Sequence, residues 1–173
     1  MSNDVASIPK PTEPSLAIQL AIQTLHELIL KIDTNTIYIF YDHNFKTLVT
    51  ELKHHARISH KRTLFLKDYF IDIDSMLAAL KLAFQETVNL NKRVTYLVLC
   101  NDYTTNTMMV KAKDSNMLVF DIIWITKRLR HVPVQFDPFF HLSFHVNGYY
   151  GDNEMMENNV FMLGDVLSEV LKV

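Results

Sequence analysis

The sequence predicts a three-layer α/β fold, with helices on both faces of a mostly parallel sheet. Two observations predict it. Short runs of β-branched and aromatic residues, typical of buried strands, alternate with longer segments whose apolar residues recur at helical spacing. A helix precedes each of the first four predicted strands, and this alternation is typical of parallel sheets covered on both faces. The fifth predicted strand follows the fourth without a helix between them, and a last helix follows it.

The first half of the chain begins with a polar, proline-rich segment, residues 1–14, which is predicted to be a flexible tail. A single lobe is predicted over residues 15–173. Strands are predicted where β-branched and aromatic residues run together, at 37–41 and 63–66. Helices are predicted where apolar residues recur every three or four positions: from the N-cap Ser15 through Ile32, over 45–56, and from the cap Asp74 or Ser75 through a stripe of Leu77, Leu80, Phe84 and Val88.

The second half contains the clearest strand of the chain, VTYLVL at 94–99. The later elements are a helix opened by Asn101 or Thr104, with Met108, Met109 and Ala112 facing inward and Asn116 as its C-cap, strands at 119–126 and 140–146, and a last helix from the cap Asn153 to residue 173.

Composition excludes several classes of function. Glycine occurs 3 times, all after residue 147, whereas average usage of about 7% would give roughly twelve. No earlier strand-to-helix turn can therefore form a glycine-rich phosphate cradle, which excludes Walker A and dinucleotide-binding motifs. The net charge of −2 indicates no nucleic-acid partner. No segment is apolar for the roughly 18 to 20 residues that span a bilayer, and no signal peptide is visible.

Neither a catalytic nucleophile nor a metal site is predicted. Cys100 ends a predicted strand, but no histidine and carboxylate can be assigned to it, so a buried apolar role is favoured. The adjacent His54 and His55 diverge by about 100° on a helix. His141 and His145 lie about 13 Å apart on a strand. Neither pair can chelate one ion without a ligand from elsewhere, so the histidines are interpreted as surface or structural groups.

Polar residues follow two of the predicted strands where each strand ends. Tyr41 and Asp42 end one strand, and Asn101 and Asp102 follow another. The carboxyl edge of an open parallel sheet is where ligands bind, so these four residues are the predicted ligand-binding residues. The alternative is that the Asp and Asn side chains cap the helices that come next.

The order of segments resembles the receptor ligand-binding region with the periplasmic-binding-protein type 1 fold. The helix and strand in PSLAIQLAIQTLHEL and TIYIFYDHNFKTLVTELKHH resemble the entry to its second lobe. The segments RVTYLVLCNDYTTNTMMVKAKDSNMLVFDIIWI and FHLSFHVNGYYGDNEMMENNVFMLGDVLSEVL are similar to the later strands and helices of that lobe. Within this family the pattern is most similar to the amino-terminal domain of NMDA-type ionotropic glutamate receptor subunits.

The resemblance implies one lobe of a two-lobed receptor domain, with residues 153–173 returning to the first lobe. It implies a non-catalytic protein that senses ligands and guides subunit assembly on the extracellular side of the plasma membrane. The expected partners are other receptor subunits or a first lobe, with a small-molecule or ion modulator. No cofactor, nucleic acid or direct membrane contact is expected. The alternatives are a small intracellular α/β enzyme that uses Cys100, or a protein-interaction module.

Overall fold

A computed structural model describes residues 15–56, 63–66, 72–129 and 140–145. The predicted tail, the last helix with its cap Asn153, and all the glycines lie outside these ranges. The described helices are α1 (Leu16–Lys31), α2 (Lys46–Ala56), α3 (Ile73–Leu90) and α4 (Asp102–Asp114), with a 3-10 turn at His43–Phe45. The described strands are β1 (Thr36–Tyr41), β2 (Thr63–Leu66), β3 (Val94–Leu99), β4 (Ile122–Lys127) and β5 (Phe140–Phe144).

These strands form a five-stranded sheet in the order β2-β1-β3-β4-β5. Every neighbouring pair is parallel. The predicted α/β fold is therefore confirmed, and the helices lie in layers on both faces of the sheet. From β1 the chain first moves outward to β2 and then returns past β1 to β3. The order thus reverses between β1 and β3, which is the place where open α/β sheets form a crevice at their carboxyl edge.

One face of the sheet packs against α3 and α4, and its core is aromatic. Tyr38, Tyr96 and Trp124 stand opposite one another on β1, β3 and β4. The Tyr96 ring lies 5.4 Å from Tyr38 and 5.2 Å from Trp124, in edge-to-face arrangements that suit the charge distribution of aromatic rings. All three side chains are buried. This aromatic row fixes how α3 and α4 sit on the sheet.

The other face packs against α1 and α2, and its core is mostly aliphatic. The strands contribute Ile37, Ile39, Leu97, Leu99 and Ile125, each at most 1% exposed. The helices cover them with apolar side chains from one stripe each, chiefly Ala21, Ile22 and Leu25 from α1 and Leu48, Val49 and Leu52 from α2. Continuous apolar strands are expected when both faces of a parallel sheet are covered.

Two predicted helix ends need correction. The cap of α3 is Asp72, and the prediction of Asp74 or Ser75 is wrong. The Asp72 carboxylate accepts from the Ser75 amide at 2.7 Å, and the Asp72 amide donates to the Ser75 hydroxyl at 3.4 Å, a reciprocal capping box. Helix α4 ends at the cap Ser115, and Asn116 comes next in the left-handed region with φ of 54°.

The buried stripe of α3 also differs from the prediction. Leu80 is buried as expected, but Val88 is 62% exposed and Thr87 is buried. The hydroxyl of Thr87 lies 2.8 Å from that of Tyr96, so this helix turns a polar residue toward the sheet because the tyrosine needs a partner there. The inward-facing residues predicted for α4 (Met108, Met109 and Ala112) are confirmed, since each is fully buried.

Within the part of the chain that the structure describes, none of the helices combines the length and the apolar character that crossing a bilayer requires.

Candidate functional site at the carboxyl edge

The four predicted ligand-binding residues lie at one edge of the sheet. Tyr41 is the last residue of β1 and pairs with Leu99 at the end of β3. Asp42 follows β1 directly, and Asn101 and Asp102 begin α4 after β3. Because β1 and β3 are neighbours, the residues after them meet at the point where the strand order reverses. The ligand-binding role of these residues stays a prediction.

Asp42 joins the two strand ends through its carboxylate. The side chain is 5% exposed. One oxygen accepts from the Asn44 amide at 3.0 Å and the other from the Asn101 amide at 2.7 Å. The Asp42 amide in turn donates to the Leu99 carbonyl at 3.2 Å. Because hydrogen bonds to a carboxylate are stronger than neutral ones, this residue fixes the spacing of β1 and β3 at the edge.

Burial raises the pKa of the Asp42 carboxyl above its ordinary value. The amides of Asn101 and Asn44 act in the opposite direction, because they stabilise the charged form, and the positive charges of His43 and Lys127 do so more weakly. Burial away from water has the largest influence on the pKa of this carboxyl. The site therefore holds a carboxylate that is costly to ionise and is kept in place by backbone donors.

Asn101 and Asp42 also act as helix caps, the role expected under the alternative interpretation. The Asn101 side-chain oxygen accepts from the Thr104 amide at 2.8 Å and so caps α4. Asp42 caps the 3-10 turn through the Asn44 amide. Tyr41 is 7% exposed and belongs to the core under α1 and α2. Of the four residues, only Asn101 and Asp102 are partly open to solvent.

Lys127 completes the charged part of the edge. Its ammonium lies 3.6 Å from the Asp102 carboxylate, with side chains 15% and 37% exposed respectively. The same ammonium lies 5.5 Å from the centroid of the Phe45 ring, within the range of a cation–π contact. Sequence reasoning missed Lys127, because only the adjacency of β3 and β4 brings it to Asp102. The available signal was its position at the end of a predicted strand.

Cys100 lies at the same edge but faces the interior. The side chain is fully buried, and its thiol donates a long hydrogen bond to the Phe40 carbonyl at 3.9 Å. Burial raises the pKa of the Cys100 thiol well above its ordinary value, and the negative charge of Asp42 raises it further. A nucleophilic cysteine needs the opposite environment, exposed and electropositive.

His141 on β5 is held as a neutral group. One imidazole nitrogen lies 2.7 Å from the Thr126 hydroxyl. Burial lowers the pKa of His141 to about 4. Among the described residues, no three histidine, cysteine or carboxylate side chains are grouped closely enough to hold a metal ion as they stand.

No protein-family model matches this chain, and no match to a curated protein or to a solved structure was found. The fold and the site are therefore interpreted from the chain's own residues.

Proposed function

We propose that this chain is a non-catalytic lobe that senses a small polar ligand at the carboxyl edge of its sheet and takes part in subunit assembly. The observation that carries the proposal is the Asp42 carboxylate, which joins β1 and β3 where the strand order reverses. Crevices at such reversals are the usual ligand sites of open α/β sheets. The sequence resemblance to receptor ligand-binding regions favours the same role.

The groups that would meet the ligand are Asn101, Asp102 and Lys127. Asp42 is buried and both of its oxygens accept from amides, so it would hold the ends of β1 and β3 in place without contacting the ligand itself. Asp102 and Lys127 present opposite charges 3.6 Å apart with partly exposed side chains. The Asp102 carboxylate is the more open of the two, so a cationic group of a ligand can approach it from solvent, while Lys127 supplies a mostly covered positive charge beside it. This arrangement suits a small ligand that carries both charges.

A catalytic role through Cys100 is disfavoured by the chemistry of that residue. Its thiol has no exposed surface and a raised pKa. Attack on a substrate needs a thiolate that the substrate can reach. The environment of Cys100 therefore does not support the alternative of a small intracellular enzyme.

Assembly is supported by an aromatic patch at the opposite edge of the sheet. Phe120 is 58% exposed and Phe140 is 46% exposed, and their rings lie 5.6 Å apart. The Arg93 guanidinium stands 4.9 Å from the Phe140 ring centroid. Aromatic residues and arginine are enriched in protein interfaces. The partner under this proposal is another receptor subunit or a first lobe, and the lobe would lie on the extracellular side of the plasma membrane.

The ligand role is tested by titrating the chain with a panel of small amino-carboxylates and monocarboxylates while following backbone amide NMR shifts. Shifts are expected to concentrate at the edge, around Asn101 and Asp102. Asp102→Asn and Lys127→Met should each weaken binding about tenfold or more, since hydrogen bonds to charged groups contribute about 1.5 to 3 kcal/mol. Asp114→Asn, at the other end of α4, is the matched control and should bind normally.

Two results would overturn the ligand role. One is a panel that produces no saturable shifts at the carboxyl edge. The other is a ligand whose affinity falls as much in Asp114→Asn as in Asp102→Asn, because that would indicate a general effect of charge.

A further inference from the structure

Strand β5 carries exposed apolar side chains on the α1 and α2 side of the sheet. Side chains alternate along a strand, so Phe140, Leu142 and Phe144 share one face. Phe144 is buried in the core under α1 and α2, which identifies that face. Leu142 is 42% exposed, Phe140 is exposed as well, and Ile123 on β4 is only partly buried. We call Ile123, Phe140 and Leu142 the β5 strip.

The strip lies beyond the strands that α1 and α2 cover. Helix α1 approaches β1 across β3, because the hydroxyl of Thr34, just after α1, lies 2.7 Å from that of Thr95 on β3. Helix α2 connects β1 to β2, on the opposite side of β1 from β3. Among the described helices these two form this face, and neither extends far enough to cover Leu142.

The flank of α1 beside the strip is also apolar. The opposite flank faces α2, since the ring of His26 lies 6.3 Å from the ring of His55. Leu28 follows His26 by two positions and therefore points about 160° away from it. Ala17 and Leu28 are about three helical turns apart and share this flank, and both are partly buried against the core. A groove thus runs along β5, with Ala17 and Leu28 on one wall and the β5 strip as its floor.

A segment of the same chain has a pattern that matches this groove. Residues 153–173 lie outside the described ranges, and their sequence predicts a helix. Its apolar residues recur in one stripe: Val160, Leu163, Leu167, Val170 and Leu171. All strands are parallel, so β5 ends at the carboxyl edge, as β1 does before α2. The chain between β5 and residue 153 can span about 26 Å, which is enough to turn back onto the strip.

We propose that residues 153–173 dock as an amphipathic helix in the groove between α1 and the β5 strip. Docking would remove apolar surface of both partners from water, which is the main favourable contribution to such packing. A helix in a protein gains most of its stability from packing of its apolar face, so the helix is expected to form together with this contact.

The same chain is favoured over a second copy as the source of the helix. A short tether gives its segment an effective concentration in the millimolar range, above that of a free copy in solution. The proposal differs from the expectation, implied by the family resemblance, that residues 153–173 return to a first lobe. It does not involve Asn101, Asp102 or Lys127, so its failure leaves the proposed ligand role untouched.

The first test measures amide hydrogen exchange in the full chain. Amides of residues 160–171 are expected to be protected. Leu142→Asp should speed their exchange about tenfold or more, because docking would strip water from a charged side chain in the groove. Val88→Asp is the matched control, since Val88 is an exposed apolar residue of α3 on the other face of the sheet. It should leave this exchange unchanged.

The second test alters the segment and observes the strip. Leu167→Asp should speed exchange over residues 160–171 and shift the methyl NMR signals of Leu142. Met162→Asp is its matched control, because Met162 lies about 140° from Leu167 on the predicted helix. This variant leaves the described strands and helices unaltered, so the test holds even if Leu142→Asp fails to fold, which far-UV circular dichroism checks.

Several results would overturn the proposal. Residues 160–171 could exchange in the unaltered chain as fast as an unstructured peptide. Val88→Asp could speed their exchange as much as Leu142→Asp does, or Leu142→Asp could leave it unchanged, which would place the segment elsewhere. Protection that grows with protein concentration would identify a second copy as the occupant of the groove.

Discussion

The two faces of the sheet are built from different chemistry, although the same strands supply both. Under α3 and α4 the core contains rings with polar atoms, notably Tyr38, Tyr96 and Trp124. Under α1 and α2 the central strands supply Ile and Leu side chains. Aliphatic side chains gain stability from burial alone. A buried hydroxyl group also needs a hydrogen-bond partner, so it imposes a particular alignment of the helix above it.

The alignment of α3 illustrates this difference. The Thr87 hydroxyl donates to the Ala83 carbonyl at 2.8 Å, which uses its single proton. The Tyr96 hydroxyl, 2.8 Å away, must therefore be the donor in its contact with Thr87. Burial raises the pKa of Tyr96 and keeps the phenol protonated. The position of α3 on the sheet is thus specified by a hydrogen bond. On the aliphatic face, the positions of α1 and α2 are specified only by the packing of apolar side chains.

The largest expected loss of stability comes from removing a large side chain from the aromatic face of the sheet. Trp124→Ala should lower the free energy of unfolding by about 3 to 5 kcal/mol, because it removes a fully buried indole. Among the described residues the indole nitrogen has no hydrogen-bond partner. Trp124→Phe should therefore cost much less, since it keeps a ring and removes an unpaired donor. Urea unfolding measures the free energy of unfolding of both variants. Equal losses in Trp124→Ala and Trp124→Phe would contradict the expectation that packing dominates at this position.

A smaller loss of stability is expected at the hydrogen-bonded hydroxyls of Thr87 and Tyr96, and it should differ between the two residues. Thr87→Val leaves the Tyr96 hydroxyl buried without its acceptor and should cost about 1 to 3 kcal/mol. Tyr96→Phe leaves Thr87 bonded to the Ala83 carbonyl and should cost less. Adding Thr87→Val to Tyr96→Phe should then cost little more. Additive losses in this double-mutant cycle would mean that the two hydroxyls do not interact.

The smallest effect at neutral pH concerns His141 on the α3 and α4 side. Burial lowers the pKa of His141 to about 4 from its ordinary 6.5. Between these values the unfolded chain binds more protons than the folded one, so the contribution of His141 to stability is lost as the pH falls from about 6.5 to about 4. His141→Gln should flatten this part of the stability curve. Ile39→Val, on the aliphatic face, should lower stability by about 0.5 to 1.5 kcal/mol equally at each pH. A curve left unchanged by His141→Gln would show that other groups cause the pH dependence.

The sequence predicts elements better than it predicts how they meet. The strand at 94–99 and the cap Ser15 were predictable because periodicity and capping are local. The stripe of α3 was misplaced because pattern reasoning counts Thr87 as polar and exposed, whereas Tyr96, on another element, requires it inside. The pairing of Lys127 with Asp102 depends on strand order, which no local signal contains.

The position of Cys100 has a practical consequence. The chain has 1 cysteine, and the structure buries it completely under the carboxyl edge. Its side chain packs in the core between the sheet and helices α3 and α4, so a thiol reagent in solution can reach it only when this core opens locally. Modification therefore reports that opening rather than the chemistry of the protein surface. Cys100, which is a nucleophile only under the enzyme alternative, can thus serve as a natural probe of how often the core beneath α3 and α4 opens.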